Sequence, residues 1–98
     1  MSQAQEEANR KLRSLEQQLI AAHRAADESK QLTSQAKKNL DLFQAQYEAG
    51  QRQVMDVVGV YETFSRQQRA RIEHTYSAAR LELAIARELG LLADGEDI

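Results

Sequence analysis

A regular seven-residue spacing of small and apolar side chains runs through the first half of this 98-residue chain. Two interleaved series alternate in steps of three and four residues, which places them along one stripe of a helix. The first series is Leu12, Leu19, Ala26, Thr33, Leu40 and Tyr47, and the second is Leu15, Ala22, Ser29, Ala36 and Phe43. The spacing predicts one long helix over about residues 4–49, with a single narrow contact face.

Composition favours long helices and excludes several kinds of site. The chain has no proline, so no residue forces a break in a helix. It has no cysteine, which excludes disulfides, thiolate metal sites and thiol nucleophiles. Aromatic residues make up only 5% of the chain, too few for the core of a thick globular domain.

Gly50 is predicted to reverse the direction of the chain. Glycine is common just past a helix end because it accepts positive φ without a Cβ clash. Apolar periodicity resumes at Val54, and Asp56 then falls in the first turn of a new helix. A carboxylate there interacts well with free backbone N–H groups. The short turn at 50–53 predicts an antiparallel helix pair.

The second helix is predicted over about residues 54–89, with Gly90 at its end and a frayed acidic tail at 93–98. Its main stripe is predicted to be Val57, Tyr61, Phe64, Gln68, Ile72, Thr75, Ala79, Leu83 and Ala86. A second apolar line consists of Ala78, Leu81, Ile85, Leu89 and Leu92. Two apolar lines on one helix predict contacts with neighbours on two sides.

The sequence therefore predicts an all-α single domain over residues 1–98, a long antiparallel, coiled-coil-like two-helix hairpin. Helices of about 40–45 residues would be roughly 60–70 Å long at about 1.5 Å per residue. The middle of the first stripe, at 22–36, consists of small residues and buries little apolar area. We expect the hairpin to associate into a larger helical bundle or barrel, in a longer protein or by self-association.

No arrangement of residues points to catalysis or to a metal site. Neither His23 nor His74 has neighbours at i+3 or i+4 that make a convincing metal set, so both are interpreted as solvated helix residues. A Ser/His/Asp arrangement and a glycine-rich phosphate loop are both missing from the sequence. We expect a protein that is not an enzyme and that holds no metal and no cofactor.

The 13 basic and 15 acidic residues give a net charge of −2, and they are interpreted as well mixed along the chain. This balance argues against a nucleic-acid partner, which would need a basic face. Four arginines of the second helix are interpreted as a solvated charged face, because their spacing scatters them around the helix and glutamates are interspersed with them. The arginines are Arg66, Arg69, Arg71 and Arg80, and the glutamates are Glu62, Glu73 and Glu82. No apolar run approaches the roughly 20 residues of a membrane span.

The turn and the helix after it resemble the TolC family of outer-membrane channel proteins, which serve multidrug efflux and type I secretion. The family pattern is Tyr-x-x-Gly, then Asp-Val or Asp-Leu a few residues on, and a long helix ending in Ala-x-x-x-Gly-x-Leu. The matching residues here are Tyr47, Gly50, Arg52, Asp56, Val57, Tyr76, Leu83, Ala86, Gly90 and Leu92. The resemblance covers about residues 12–92.

The resemblance implies a role for the turn. In TolC-like channels, six such hairpins from three subunits form a periplasmic tunnel of twelve helices, and this turn lies at its gated tip. Tyr47 and Arg52 would hold the closed tip together through contacts between hairpins, and Asp56 would face the pore. The periplasmic adaptor protein would dock on Ala49, Gly50, Gln51, Arg52, Gln53 and Val54.

The resemblance also implies partners and a location. A TolC-like channel is a trimer in the bacterial outer membrane, and it works with the adaptor and an inner-membrane pump as a tripartite assembly. This segment would lie in the periplasm. A whole channel protein is several times longer and has β-strands for its membrane barrel. We therefore expect this chain to be a soluble fragment that covers one tip hairpin and self-associates.

Two positions depart from the family pattern. Gly59 stands where some members carry a second pore aspartate, which makes the constriction less negative and puts cation selectivity in doubt. Gln53 stands where Ser or Thr often caps the second helix. The form Gly-x-Arg-x-x-x-Asp looks more like the secretion branch of the family than the efflux branch.

Other interpretations stay open. From the residues alone, Tyr47 closes the contact face, Arg52 is solvated and Asp56 stabilises the start of the second helix. The whole chain can also be a free-standing helical hairpin that self-associates as a structural or scaffold module. A hairpin of the adaptor protein would have the same shape, but adaptor tips carry a different pattern of Arg, Leu and Ser.

Overall fold

The computed structural model describes residues 2–96, which form two long antiparallel α-helices. Helix α1 spans Gln3–Glu48 and helix α2 spans Val54–Glu96. The hairpin is a rod of 73 × 16 × 15 Å. The predicted all-α hairpin is confirmed. Neither helix, as far as it is described, has a stretch long and apolar enough to cross a membrane.

The contact face of α1 is the predicted heptad stripe. Its buried residues are Leu12, Ser29, Thr33, Ala36 and Leu40, and its half-buried residues include Leu15, Leu19, Ala22, Ala26 and Phe43. We call this stripe, together with the α2 residues that face it, the seam. Ser2 caps the start of α1, because its Oγ accepts a hydrogen bond from the backbone N–H of Gln5 at 3.2 Å.

The contact face of α2 differs from its predicted main stripe. Ile72 is 64% exposed and Leu83 is 71% exposed, so both lie away from α1. The α2 side of the seam consists of the covered residues Val57, Val60, Phe64, Gln67, Ala78, Leu81, Ile85, Glu88 and Leu92. This line keeps a strict heptad, but Arg71 and His74 interrupt its apolar pattern midway. The seam shares Val57 and Phe64 with the predicted main stripe. It shares Ala78, Leu81, Ile85 and Leu92 with the predicted second apolar line, so the prediction is wrong at the middle of α2, where it follows the line through Ile72.

The helices approach each other closely at the small residues of the seam. Thr33 Oγ1 lies 2.7 Å from the carbonyl oxygen of Ser29 in its own helix and 3.1 Å from that of Gln67 in α2. Its single hydroxyl proton is shared between these two acceptors. A threonine side chain reaches the backbone of a facing helix only where the two helix axes are near each other. The small residues at 22–36 permit this approach, because their side chains take up little space between the two helix axes.

Helix α2 does not end at Gly90, as predicted, but continues to Glu96. A glycine inside a helix costs about 1 kcal/mol relative to alanine, which is less than packing can supply. Leu92 is half-buried and lines one cleft together with Ala8 at the start of α1, so α2 still has α1 beside it beyond the glycine. Of the predicted frayed tail at 93–98, residues 93–96 are helical, and 97–98 lie outside the described residues.

A salt bridge and a histidine–carboxylate contact link the helices and fit the same antiparallel register. Lys11 Nζ lies 2.8 Å from Glu88 Oε1, near the ends of the chain. His23 Nε2 lies 3.2 Å from Glu82 Oε1, on side chains that are both exposed. Exposed ion pairs contribute little to stability, typically about 0–1 kcal/mol. These two contacts are consistent with the antiparallel register, but the packing of the seam is what determines it.

Leu40 and Leu42 provide a test of the register with matched substitutions. Leu40 is 4% exposed and Leu42 is 52% exposed. Leu40→Ala should lower the free energy of unfolding by about 2–4 kcal/mol, because it removes buried apolar area and leaves a cavity. Leu42→Ala should cost less than about 1 kcal/mol. Urea denaturation followed by circular dichroism, at one protein concentration, measures both, and equal losses would contradict the seam.

Candidate functional site at the hairpin turn

The chain reverses through a tight turn centred on Gly50, as predicted. The backbone N–H of Gly50 donates to the carbonyl oxygen of Tyr47 at 3.0 Å, and that of Gln51 donates to Gln46 at 2.8 Å. This pair of bonds defines a Schellman motif, which satisfies carbonyl groups left free at a helix end. Gly50 has a φ of 77°, a conformation that other residues adopt only with strain.

Asp56 caps the start of α2. Its Oδ2 accepts a hydrogen bond from the backbone N–H of Gln53 at 3.1 Å, and its own N–H donates to the carbonyl oxygen of Gln53 at 3.0 Å. The carboxylate also lies in the first turn, near the positive end of the helix dipole. Asp56 thus supplies a side-chain cap where position 53 has no Ser or Thr. Its predicted stabilising role is confirmed, and its role in a pore stays a prediction.

Arg52 folds back onto the end of α1. Its Nε donates to Gln46 Oε1 at 2.9 Å, and its Cζ lies 4.2 Å from the centroid of the Phe43 ring. A cation over an aromatic face at this distance is a favourable contact. Arg52 is exposed, as the solvated interpretation requires, but it is held in place. Sequence reasoning missed Phe43 and Gln46 as its partners, because only the turn brings them together.

Tyr47 does not close the seam, as the interpretation from the residues alone had it. The side chain is 47% exposed, and the last covered residues of α1 are Phe43 and Gln46. The reason is that α1 ends at Glu48 and the chain turns away directly after it. Tyr47 therefore lies at the rim of the tip, accessible to a neighbouring molecule.

All six predicted docking residues are exposed, and they lie together at one end of the rod. They are Ala49, Gly50, Gln51, Arg52, Gln53 and Val54. Met55 and Val58, both exposed, extend this surface along α2 with apolar side chains that the seam does not use. Sequence reasoning missed these two residues. The available signal was that four of the first five residues of α2 are apolar, because a single contact stripe accounts for only one or two of them.

Helix pairing gathers basic side chains into a belt around the middle of the rod. Residues 29–40 and 63–72 lie side by side, as the contact between Thr33 and Gln67 shows, and neither segment contains an acidic residue. The belt consists of the exposed residues Lys30, Lys37, Lys38, Arg66, Arg69 and Arg71. The arginines are exposed, in agreement with the solvated face that the sequence predicts, and Lys37 of the belt is paired with Asp41 at 2.6 Å. The described residues include no cluster of potential metal ligands.

Gly50 and Gly59 offer matched substitutions with opposite expected effects. A Cβ added at either glycine meets no atom within 4 Å, so only the backbone conformation differs between them. Gly50→Ala should destabilise the protein by about 1–2 kcal/mol, because its φ is positive. Gly59→Ala, in the interior of α2, should stabilise it by up to about 1 kcal/mol. Thermal unfolding of both variants measures this, and a neutral Gly50→Ala would contradict the turn geometry.

Comparison with known proteins identifies no relative of this chain. It matches no protein family, no curated protein and no solved structure. The resemblance to the TolC family therefore rests on the residues of the turn and of the two helices. Function has to be argued from the turn and from the surfaces that the hairpin leaves uncovered.

Proposed function

We propose that this chain is the periplasmic tip hairpin of a TolC-like outer-membrane channel, where it gates the tunnel and docks the adaptor protein. The observation that carries the proposal is the turn. Tyr47, Gly50, Arg52 and Asp56 lie within one tight reversal at the end of a rod 73 Å long. A partner that meets such a rod end-on contacts the turn before any other part, so recognition and gating there depend on these residues.

A second line of support is a low-charge stripe on α2, away from the seam. Its members are spaced by alternating steps of four and three residues, and Glu82 is its single charged residue. The stripe consists of Val54, Val58, Tyr61, Ser65, Gln68, Ile72, Thr75, Ala79, Glu82, Ala86 and Leu89. All of these residues except the half-buried Ser65 are exposed. We call this line the outer stripe of α2.

Helix α1 has an outer stripe of the same kind. It also follows steps of four and three residues, and Glu28 is its single charged residue. The stripe consists of Ser14, Gln18, Ala21, Ala25, Glu28, Leu32, Gln35, Asn39, Leu42 and Gln46. Of these residues, Ala25 and Gln46 are half-buried and the others are exposed. A hairpin in the wall of a helical tunnel needs such a free stripe on each helix, because it has a neighbour on either side.

The exposed area supports the need for neighbours. The chain exposes 7600 Å², which is about 1,900 Å² more than expected for a compact protein of 11.1 kDa. A standard protein interface covers about 800 Å² on each partner. The excess is therefore enough for an interface on both sides of the hairpin.

The gate residues have defined parts in this proposal. Tyr47 and Arg52 are exposed at the tip, where each can reach a neighbouring hairpin. None of the ion pairs among residues 2–96 includes Arg52, so its charge is available to another chain. Asp56 keeps its exposed carboxylate at the rim while Oδ2 caps α2. Because Gly59 is neutral, the pore would carry one carboxylate per hairpin at this level.

The gate assignment predicts that Tyr47→Phe combined with Arg52→Ser raises the single-channel conductance of the full-length channel that contains this segment. The two changes remove the contacts between hairpins that keep the tip closed. The same variant should bind the adaptor hairpin at least about tenfold more weakly, since Arg52 belongs to the docking surface.

The matched control is Tyr61→Phe combined with Arg69→Ser, which makes the same two changes on the shaft of α2. It should leave the conductance and the adaptor affinity close to those of the wild type. Conductance is measured in planar bilayers and affinity by titration calorimetry. Unchanged conductance in the tip variant would contradict the gate assignment, and unchanged affinity would contradict docking at Arg52.

A second candidate function is a free-standing hairpin that self-associates as a structural or scaffold module. The exposed apolar residues of α2, among them Ile72 and Leu83, favour it, because they are free to pack against a second copy. This candidate explains the uncovered apolar surface of α2 as well as the channel does. It gives no reason for the tip to combine Tyr47, Arg52 and Asp56.

Both candidates predict that the isolated chain is strongly helical and that its melting is broad and shifts upward with protein concentration, since association stabilises by mass action. Ile72→Ser should reduce this concentration dependence, whereas Ile20→Ser, at an equally exposed position outside the outer stripes, should not. Circular dichroism melts at several concentrations measure the effect. A sharp melt that is independent of concentration would count against reliance on neighbours.

A further inference from the structure

Arg52 is held at two points, although it is exposed at the tip. Its Nε is tied to Gln46 Oε1 at 2.9 Å, and the Phe43 ring lies under its guanidinium, with Cζ 4.2 Å from the ring centroid. Phe43 and Gln46 are themselves half-buried on α1, so they form a firm support. Since a guanidinium is planar, a bond at one edge and a ring against one face together define its orientation.

The hold on Arg52 leaves most of its donors unused. A guanidinium has five N–H donors, and the bond to Gln46 takes only the one on Nε. The two carboxylates nearest to it in the sequence are Glu48 and Asp56; neither forms an ion pair with Arg52, and Asp56 accepts from the backbone N–H of Gln53 instead. The edge formed by Nη1 and Nη2 matches the two oxygens of a carboxylate, which it binds with two parallel hydrogen bonds.

We propose that Phe43 and Gln46 are positioning residues for Arg52, which they hold so that its Nη1 and Nη2 edge is presented to a carboxylate of a neighbouring hairpin. The identity of the neighbour rests on the proposed function. The positioning itself is a property of this chain. It depends on the Schellman turn at Gly50, because Phe43 and Gln46 precede the turn and Arg52 follows it.

If Phe43 positions Arg52, its substitutions should have effects that a merely structural role for Phe43 does not predict. Phe43→Leu keeps an apolar side chain in the seam but removes the ring face, whereas Phe43→Tyr keeps the face. Gln46→Ala removes the acceptor. Gln46→Glu replaces it with a carboxylate, which ties Arg52 more tightly and competes with the carboxylate of the neighbour. The matched control is Phe64→Leu, at the other half-buried phenylalanine of the seam.

The first measurement uses the isolated chain. Nuclear magnetic resonance with ¹⁵N-labelled arginine follows exchange of the Arg52 Nε–H with water. Phe43→Leu and Gln46→Ala should each speed this exchange by about threefold to tenfold, as expected for the loss of one contact. Gln46→Glu should slow it, and Phe43→Tyr should restore the slow exchange. If Phe43→Leu changes the exchange no more than Phe64→Leu does, the positioning role is overturned.

The second measurement uses the conductance of the full-length channel. Phe43→Leu, Gln46→Ala and Gln46→Glu should each raise it toward the value of Arg52→Ser, and Phe43→Tyr should rescue the closed state. An effect of Arg52→Ser without any effect of the Phe43 and Gln46 variants overturns the positioning role and leaves the gate standing. No effect of Arg52→Ser overturns the gate and the presentation to a neighbour, while the exchange experiment still decides the positioning.

Discussion

The seam between the two helices is the one contact on which the hairpin depends. A two-helix rod offers each helix a single intramolecular partner, so most of its surface faces outward. Among the residues whose burial the structure describes, the buried apolar ones are Leu12, Ala36, Leu40 and Ala78, and none of the large side chains there is fully buried. At about 25 cal/mol per Å² such a seam supplies little free energy. Neighbouring helices that covered the outer stripes, as the proposed function requires, would add to this burial.

The geometry of the tip depends on the residues at which the seam ends. Phe43 and Gln46 are the last covered residues of α1, and they support Arg52 after the chain has turned at Gly50. The Schellman bonds cap the end of α1 and the Asp56 carboxylate caps the start of α2, so both helix ends at the turn are stabilised by hydrogen bonds. The turn is thus stabilised from within, which leaves Tyr47 and the Nη edge of Arg52 for contacts with other molecules.

The proposed gate and the self-associating hairpin make different use of the same surfaces. Both use the outer stripe of α2, where Ile72 and Leu89 each expose more than half of their area. Only the gate uses the tip. The basic belt at the middle of the rod belongs to neither, and it separates an acidic tip region from an acidic root. Charge along the rod is therefore segregated into an acidic tip region, a basic middle and an acidic root.

The sequence by itself determined the two helices, the reversal at Gly50 and the α1 side of the seam. These features follow from local rules: heptad spacing, helix propensity and the positive φ that glycine accepts. Only the tertiary structure decided which line of α2 faces α1, because Arg71 and His74 break the pattern and the line through Ile72 is as apolar. It also decided that α2 passes Gly90, where Leu92 meets the start of α1. The tertiary structure also decided that Phe43 and Gln46 support Arg52, because contacts across a turn depend on the geometry of the turn and not on the spacing of residues in the sequence.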